Sequence, residues 1–215
     1  MDALVKTPLG RRARKALETR RRVLDAAEAL FTRDGYAATT MTAIADQADV
    51  AVQTLYAVFG NKRALLTELI DARVVGDDHA GPLPDRKDWQ AMERETDPLR
   101  QIALFAAIAT RIGSRSAAIN EVLAAAAGAD AEIAAVYEQQ RQYRYRDERR
   151  IARSLARKGA LRAGLSETQA ADIIWAIATT RTYRALVGER RWTADQYEHW
   201  LADLLARALL VERSR

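Results

Sequence analysis

The chain contains no cysteine, which excludes disulfides, thiolate zinc sites and thiol-based redox sensing together. It has only 2 histidines in 215 residues, and they form no acid–base constellation. His79 stands beside Asp77 and Asp78, but three adjacent loop positions fix no ligand geometry, so no metal is expected. His199 falls in the final helix and reads as interfacial. A glycine-rich phosphate loop and a nucleophile elbow are both missing. These absences give no catalytic residue and no cofactor, and argue against an enzyme. No apolar run approaches the roughly 20 residues that cross a bilayer, and the start, MDALVKTPLGRRARKALETRRR, lacks the apolar core of a signal peptide. The expectation is a cytoplasmic protein with no membrane partner.

Prolines number 4 and glycines 10, so there are few helix breakers. No segment alternates apolar and polar residues between hairpin turns, and the fold class read from the pattern is all-α, with about nine helices. Hydrophobic residues make up 49% of the chain, enough for a sizeable core, and the net charge of +5 leans mildly towards an anionic partner.

Val23, Ala26, Ala27, Leu30 and Phe31 form one stripe of a first helix, which Gly35 can stop in left-handed geometry. Asn61 caps a fourth helix reaching about Val75, and GDDHAGPLPDRKDW marks the passage between domains. Asp97-Pro98 opens an apolar helix, Ser116 is expected to cap a short one, and Asp130 opens a long one ending near Lys158. Ser166 with Gln169, and Thr193 with Gln196, are capping boxes that mark the last two helices. The chain divides into a basic arm (1–18), a three-helix domain (19–66) and a second helical domain (67–215).

Between the first and fourth helices lie two very short ones. Thr40 can cap MTAIADQA, whose Ile44, Ala45 and Ala48 face inward; the chain turns at Asp49-Val50, and VQTLYAVF follows. Helices this short are not stable alone. Backed by a third helix, they make a wedge whose second member can enter the major groove of DNA.

The run RRVLDAAEALFTRDGYAATTMTAIADQADVAVQTLYAVFGNKRALLTELI resembles the N-terminal domain of TetR-family transcriptional regulators. The resemblance rests on the Ala-Ala and Phe31 of the first helix, Gly35-Tyr36, Thr39-Thr40, Ile44-Ala45, Thr54-Leu55-Tyr56, Phe59 and Lys62. ALRAGLSETQAADIIWAIATTRTYRALVGERRWTADQYEHWLADLLARALL is similar to the C-terminal half of one branch of that family. Two positions depart from its pattern: Asp49 replaces a usual glycine, and Ala51 a usual serine or threonine. Aspartate tolerates left-handed geometry, whereas alanine forfeits an N-cap of about 1 kcal/mol.

The resemblance implies a repressor that binds a palindromic double-stranded operator as a homodimer and is released by a small apolar or amphipathic effector. It places Thr40, Thr42, Tyr56 and Lys62 on phosphates, and leaves Val52, Gln53, Thr54 and Ala57 on the reading helix. Gln53 can pair adenine; Val52 and Ala57 can only touch a thymine methyl. Lys6, Arg11, Arg12, Arg14, Lys15, Arg20, Arg21 and Arg22, against Asp2 and Glu18, form a basic tail suited to the minor groove or phosphates.

In the second domain, Trp200, Leu201, Leu204, Leu205, Ala208 and Leu209 crowd the final helix, and the resemblance implies that this helix and its predecessor form a four-helix bundle with the partner. It implies an effector pocket among Phe105, Ile108, Ile112, Tyr137, Gln140, Tyr143 or Arg144, Ile174, Ile177 and Arg181, with Tyr143 and Arg181 as buried polar groups awaiting a ligand. Effector binding would shift the fourth helix and move the paired reading helices off their spacing of about 34 Å. A coupling of about 1–3 kcal/mol suffices. Asp49, Ala51 and the uncharged reading face also admit a helical dimer that acts through a protein partner and has lost operator binding.

Overall fold

The computed structural model describes residues 10–76 and 82–211. Its helices are α1 (Arg11–Ala38), α2 (Met41–Gln47), α3 (Val52–Phe59), α4 (Lys62–Val75), α5 (Lys87–Arg94), α6 (Pro98–Ala127), α7 (Ala131–Arg157), α8 (Glu167–Ile177), α9 (Thr180–Tyr183) and α10 (Ala194–Leu209). A 3-10 turn (Leu83–Asp85) precedes α5, and a π turn (Arg184–Glu189) continues α9. Among the described residues there is no strand, only an isolated bridge between Leu161 and Leu210. The all-α reading holds. The chain forms two compact units, Met1–Leu69 and Ile70–Arg215.

In the first unit, α1 buries Val23, Ala27, Leu30 and Phe31. Ile44 and Ala45 of α2, Leu55 and Phe59 of α3 and Leu65 of α4 complete this core. Helices of seven and eight residues have no independent stability, so this shared core is what holds α2 and α3. Helix α1 starts at Arg11, so the expected arm is helical over its second half; Lys6 and Asp2 lie outside the described residues. Gly35 takes φ 81°, ψ 164°, a region open to glycine, and kinks the helix, which resumes to Ala38.

In the second unit, α6 is central, packed by α5, α7, α9 and α10, while α8 lies against α7 and α10. Its length and composition would suit a membrane span, which corrects the expectation that no apolar run is long enough. Ile102, Phe105, Ala106, Ile108, Ile119 and Leu123 are instead buried among neighbouring helices. The expected break at Ser116 is absent. Ser116 is buried, its hydroxyl donating to the Ile112 carbonyl at 2.8 Å, so it satisfies itself within a continuous helix. Gly113 is there for contact: a Cβ would lie 2.6 Å from Cγ of Tyr183.

Two helices escaped the sequence pattern. Helix α5 lies in the stretch expected to be a connection, and buries Trp89 and Met92. Helix α9 falls between the two capping boxes, its N-cap Thr179 accepting from the Thr182 N–H at 2.8 Å. The other caps form as expected: Asp97 accepts from Leu99, Asp130 from Glu132 and Ile133, Asn61 from Ala64, and both capping boxes close.

Helix α7 turns one carboxyl inward. Glu148 is buried, 3.3 Å from Arg144 Nε, and its Oε2 has no hydrogen-bond partner. Arg144 also donates to the Trp175 carbonyl at 2.5 Å. Burial outweighs the arginine and pushes the Glu148 carboxyl up to about 8. The folded chain therefore holds a proton at neutral pH that the unfolded chain releases above its ordinary value of 4.5. Stability from this group is complete below that value and is lost as pH rises towards about 8. Glu148→Gln, permanently neutral, is expected to match the parent's melting temperature near pH 5 and exceed it by several degrees at pH 8.5, measured by calorimetry. Asp147, pushed up to about 6 by burial, adds a slope of the same sign in both proteins.

Candidate nucleic-acid interface

The α2–α3 pair is assembled by local bonds. The Thr40 hydroxyl accepts from the Ala43 N–H at 3.1 Å and starts α2. At the other end Asp49 takes φ 52°, the left-handed geometry expected of it. The Val50 N–H then reaches back to the Ala45 carbonyl at 3.0 Å. Ala51 precedes α3 and supplies no side-chain cap. Ala51→Ser is accordingly expected to stabilise the first unit by about 1 kcal/mol, read as a raised urea midpoint with an unchanged slope.

Helix α3 buries Leu55 and Phe59, which fixes the opposite face outward. Gln53, Thr54, Tyr56 and Ala57 are exposed, and Val52 is half-buried. Tyr56 is 51% exposed, so its hydroxyl is available to a phosphate. Val58, not among the expected contact residues, is also exposed; it precedes Phe59 by one position and lies beside the buried stripe rather than in it. Thr40 and Thr42 are exposed at the start of α2.

Lys62 reaches back to the end of α1. Its ammonium donates to the carbonyls of Tyr36 (2.8 Å), Ala37 (3.3 Å) and Thr39 (2.8 Å), and lies 4.4 Å from the centroid of the Tyr36 ring. These acceptors sit at the end of α1, where carbonyls lack helical partners. These bonds make Lys62 a clip between α1 and α4. Arg20 is paired with Glu68 at 2.6 Å, Arg21 is exposed, and Arg22 lies 3.8 Å from Asp49.

In the second unit, the expected pocket residues divide between one core and the surface. Phe105, Ile108 and Ile174 are core, and Ile112 and Ile177 pack half-buried against it. Tyr137 is half-buried beneath the Arg141 guanidinium, 5.7 Å away. Tyr143 is exposed and accepts from Gln139 Nε2 at 2.9 Å, and Arg181 is exposed. Neither is a buried polar group; the inward stripe of α7 runs instead through Glu148, Ile151 and Leu155. Glu148 was legible from that spacing. Gln101 is another buried polar group; it donates to Ser154 Oγ at 3.0 Å and accepts from Lys158 at 2.5 Å.

Leu201, Leu205 and Leu209 are fully buried in the chain's own core, which removes them from the expected dimer face. Trp200, Leu204 and Ala208, one position away on each turn, remain half-exposed. Trp200 contacts Tyr197 and Trp192, with ring centroids 5.7 and 6.0 Å apart. His199 is exposed beside it, its Nδ1 2.7 Å from the Asp195 carbonyl. His79, Asp77 and Asp78 lie outside the described residues, among which no cluster of metal-binding side chains occurs.

Residues 23–69 match the family described as "Bacterial regulatory proteins, tetR family". The HTH-type transcriptional repressor KstR of Rhodococcus jostii is 35% identical over 123 residues, 57% of this chain and 54% of KstR. The chain thus spans about half the length of that curated relative. Among solved structures, NalD, the secondary repressor of the MexAB-OprM multidrug efflux pump in Pseudomonas aeruginosa, shares the fold. Its TM-score is 0.69 at 20% identity, over 93% of this chain and 100% of NalD. So does FadR of Bacillus subtilis in complex with stearoyl-CoA, with a TM-score of 0.67 at 16% identity over 87% and 98%. The capped α2, the left-handed turn and the outward α3 all lie inside the segment, residues 23–69, that matches the family of bacterial regulatory proteins of the tetR type.

Proposed function

We propose that the chain is a cytoplasmic DNA-binding transcriptional repressor that occupies a palindromic operator as a homodimer and is released by a small molecule. The observation that carries this is the outward face of α3: Gln53, Thr54, Tyr56 and Ala57 are exposed while Leu55 and Phe59 anchor the helix. Such a face presents an amide to base edges and hydroxyls to phosphates. Thr40, Thr42 and Tyr56 set register; Gln53 reads a base; Val52 and Ala57 touch thymine methyls. Arg20, Arg21 and the basic residues of α1 add salt-dependent affinity.

Trp200, Leu204 and Ala208 supply the apolar stripe of a twofold partner contact. Stearoyl-CoA on a protein of the same fold supports an amphipathic effector. The rival reading, a dimer acting through a protein partner, is weakened by Asp49, which takes up the turn geometry without glycine.

Fluorescence anisotropy with duplexes from the DNA flanking the coding region tests the proposal. Salt-dependent, sequence-selective binding is expected, and Gln53→Ala should lose about 1–3 kcal/mol of discrimination at one base pair. Equal binding to every duplex, or to none at low salt, would sink it.

A further inference from the structure

The second unit carries a groove of about 550 Å³ between α7 and α8, within the usual range of about 300–1,000 Å³ for small-molecule sites. It lies apart from the inward-facing core positions considered above. Helix α7 lines it with Arg141, Arg146, Arg149, Arg150 and Arg153. The acids on its walls are Glu138 and Asp172.

The ion pairs separate these arginines into two groups. Arg150 is held by Glu93 at 2.8 Å and Arg153 by Glu167 at 3.1 Å. Arg141 lies 3.5 Å from Glu138, and Asp172 accepts from the Tyr145 hydroxyl at 2.8 Å. Arg146 and Arg149 have no carboxylate partner at ion-pair distance among the described residues. Arg146 instead lies 5.3 Å from the Tyr143 ring centroid, and its charge acts on half-buried Asp147. Both guanidiniums are exposed on consecutive turns of α7, where side chains three apart stand about 5–6 Å from each other at Cβ. Paired planar forks at that spacing suit a carboxylate, sulfonate or phosphate.

The rest of the groove lining is Gln142 and two aromatic rings, Tyr145 and Trp175. Trp175 lies half-buried in it with the Arg141 guanidinium 4.8 Å from its centroid, and Tyr145 stands alongside. We propose that this groove binds an acidic amphipathic small molecule, its anionic head on Arg146 and Arg149 and its planar or apolar body along Trp175 and Tyr145. That such a ligand acts as the effector rests on the function proposed above; the binding does not.

The test uses the full chain without DNA and 8-anilinonaphthalene-1-sulfonate, an anionic aromatic dye, with neutral N-phenyl-1-naphthylamine as control. Saturable binding with quenching of tryptophan emission is expected. Arg146→Gln/Arg149→Gln should weaken the sulfonate at least tenfold, leave the neutral dye and the melting temperature unchanged, and Trp175→Phe should remove most of the quenching. Parental sulfonate affinity in the double variant, equal weakening of both dyes, quenching that persists in Trp175→Phe, or no saturable binding would each overturn the site. Failure of operator binding would overturn the function and leave this result standing.

Discussion

Lys62→Met is expected to destabilise the first unit by about 2–3 kcal/mol, the range for hydrogen bonds to a charged group, and to weaken DNA binding with it. Methionine keeps the aliphatic stem and removes only the ammonium, so the packing of α4 is preserved. What is lost is the bond set to Tyr36, Ala37 and Thr39 and the contact over the Tyr36 ring. Those carbonyls sit at the end of α1, just past the kink at Gly35, where the helix no longer satisfies them. Lys62→Arg should recover only part of the loss, because a planar fork cannot point its donors in three divergent directions. Urea unfolding should show a lower midpoint at constant slope. A midpoint equal to the parent's would mean that water replaces the ammonium without penalty.

The second large effect lies at Gly113. A Cβ there would stand 2.6 Å from Tyr183 Cγ, 2.7 Å from Cδ2 and 3.0 Å from Cβ, well inside contact distance. Tyr183 cannot simply retreat: it is buried and meets Tyr197 edge-on at 5.0 Å. Gly113→Ala is therefore expected to destabilise the second unit by about 1–3 kcal/mol through overpacking, despite the gain of roughly 0.5–1 kcal/mol from replacing a mid-helix glycine. In a Tyr183→Ala background the sign should reverse, because only the helix preference remains. A double-mutant cycle reads this directly. The same penalty in both backgrounds would place the strain elsewhere.

Gly113 also shows where sequence patterns stop being informative. Gly113 with Ser114 and Ser116 close behind it reads as a helix end, since glycine and serine both lower helix preference. It lies mid-helix because its missing side chain admits a ring from α9, a long-range contact with no local signature. By contrast, caps at Thr40, Asn61, Asp97 and Asp130 were legible, because the bonded groups lie within three residues. The α2–α3 pair was legible for the same reason, and the resemblance covered it.

The final helix illustrates an intermediate case. Trp200, Leu204 and Ala208 lie next to Leu201, Leu205 and Leu209 on the helical wheel, and composition alone cannot say which stripe the chain covers itself. Packing against α6 and α8 decides in favour of the second. Tyr143 and Arg181 were misplaced by a similar ambiguity, a rotation of α7 by one position and an unrecognised α9. Helix α5 was hidden by the prolines and aspartates around it, although Trp89 and Met92, three apart, were the available clue.

The inward carboxyl of α7 has a thermodynamic corollary. Because Glu148 is protonated in the native chain at neutral pH and ionised in the denatured one, melting releases a hydrogen ion to the surrounding buffer. The heat absorbed on melting must then depend on which buffer takes up that ion, with phosphate and Tris giving different apparent enthalpies at the same pH.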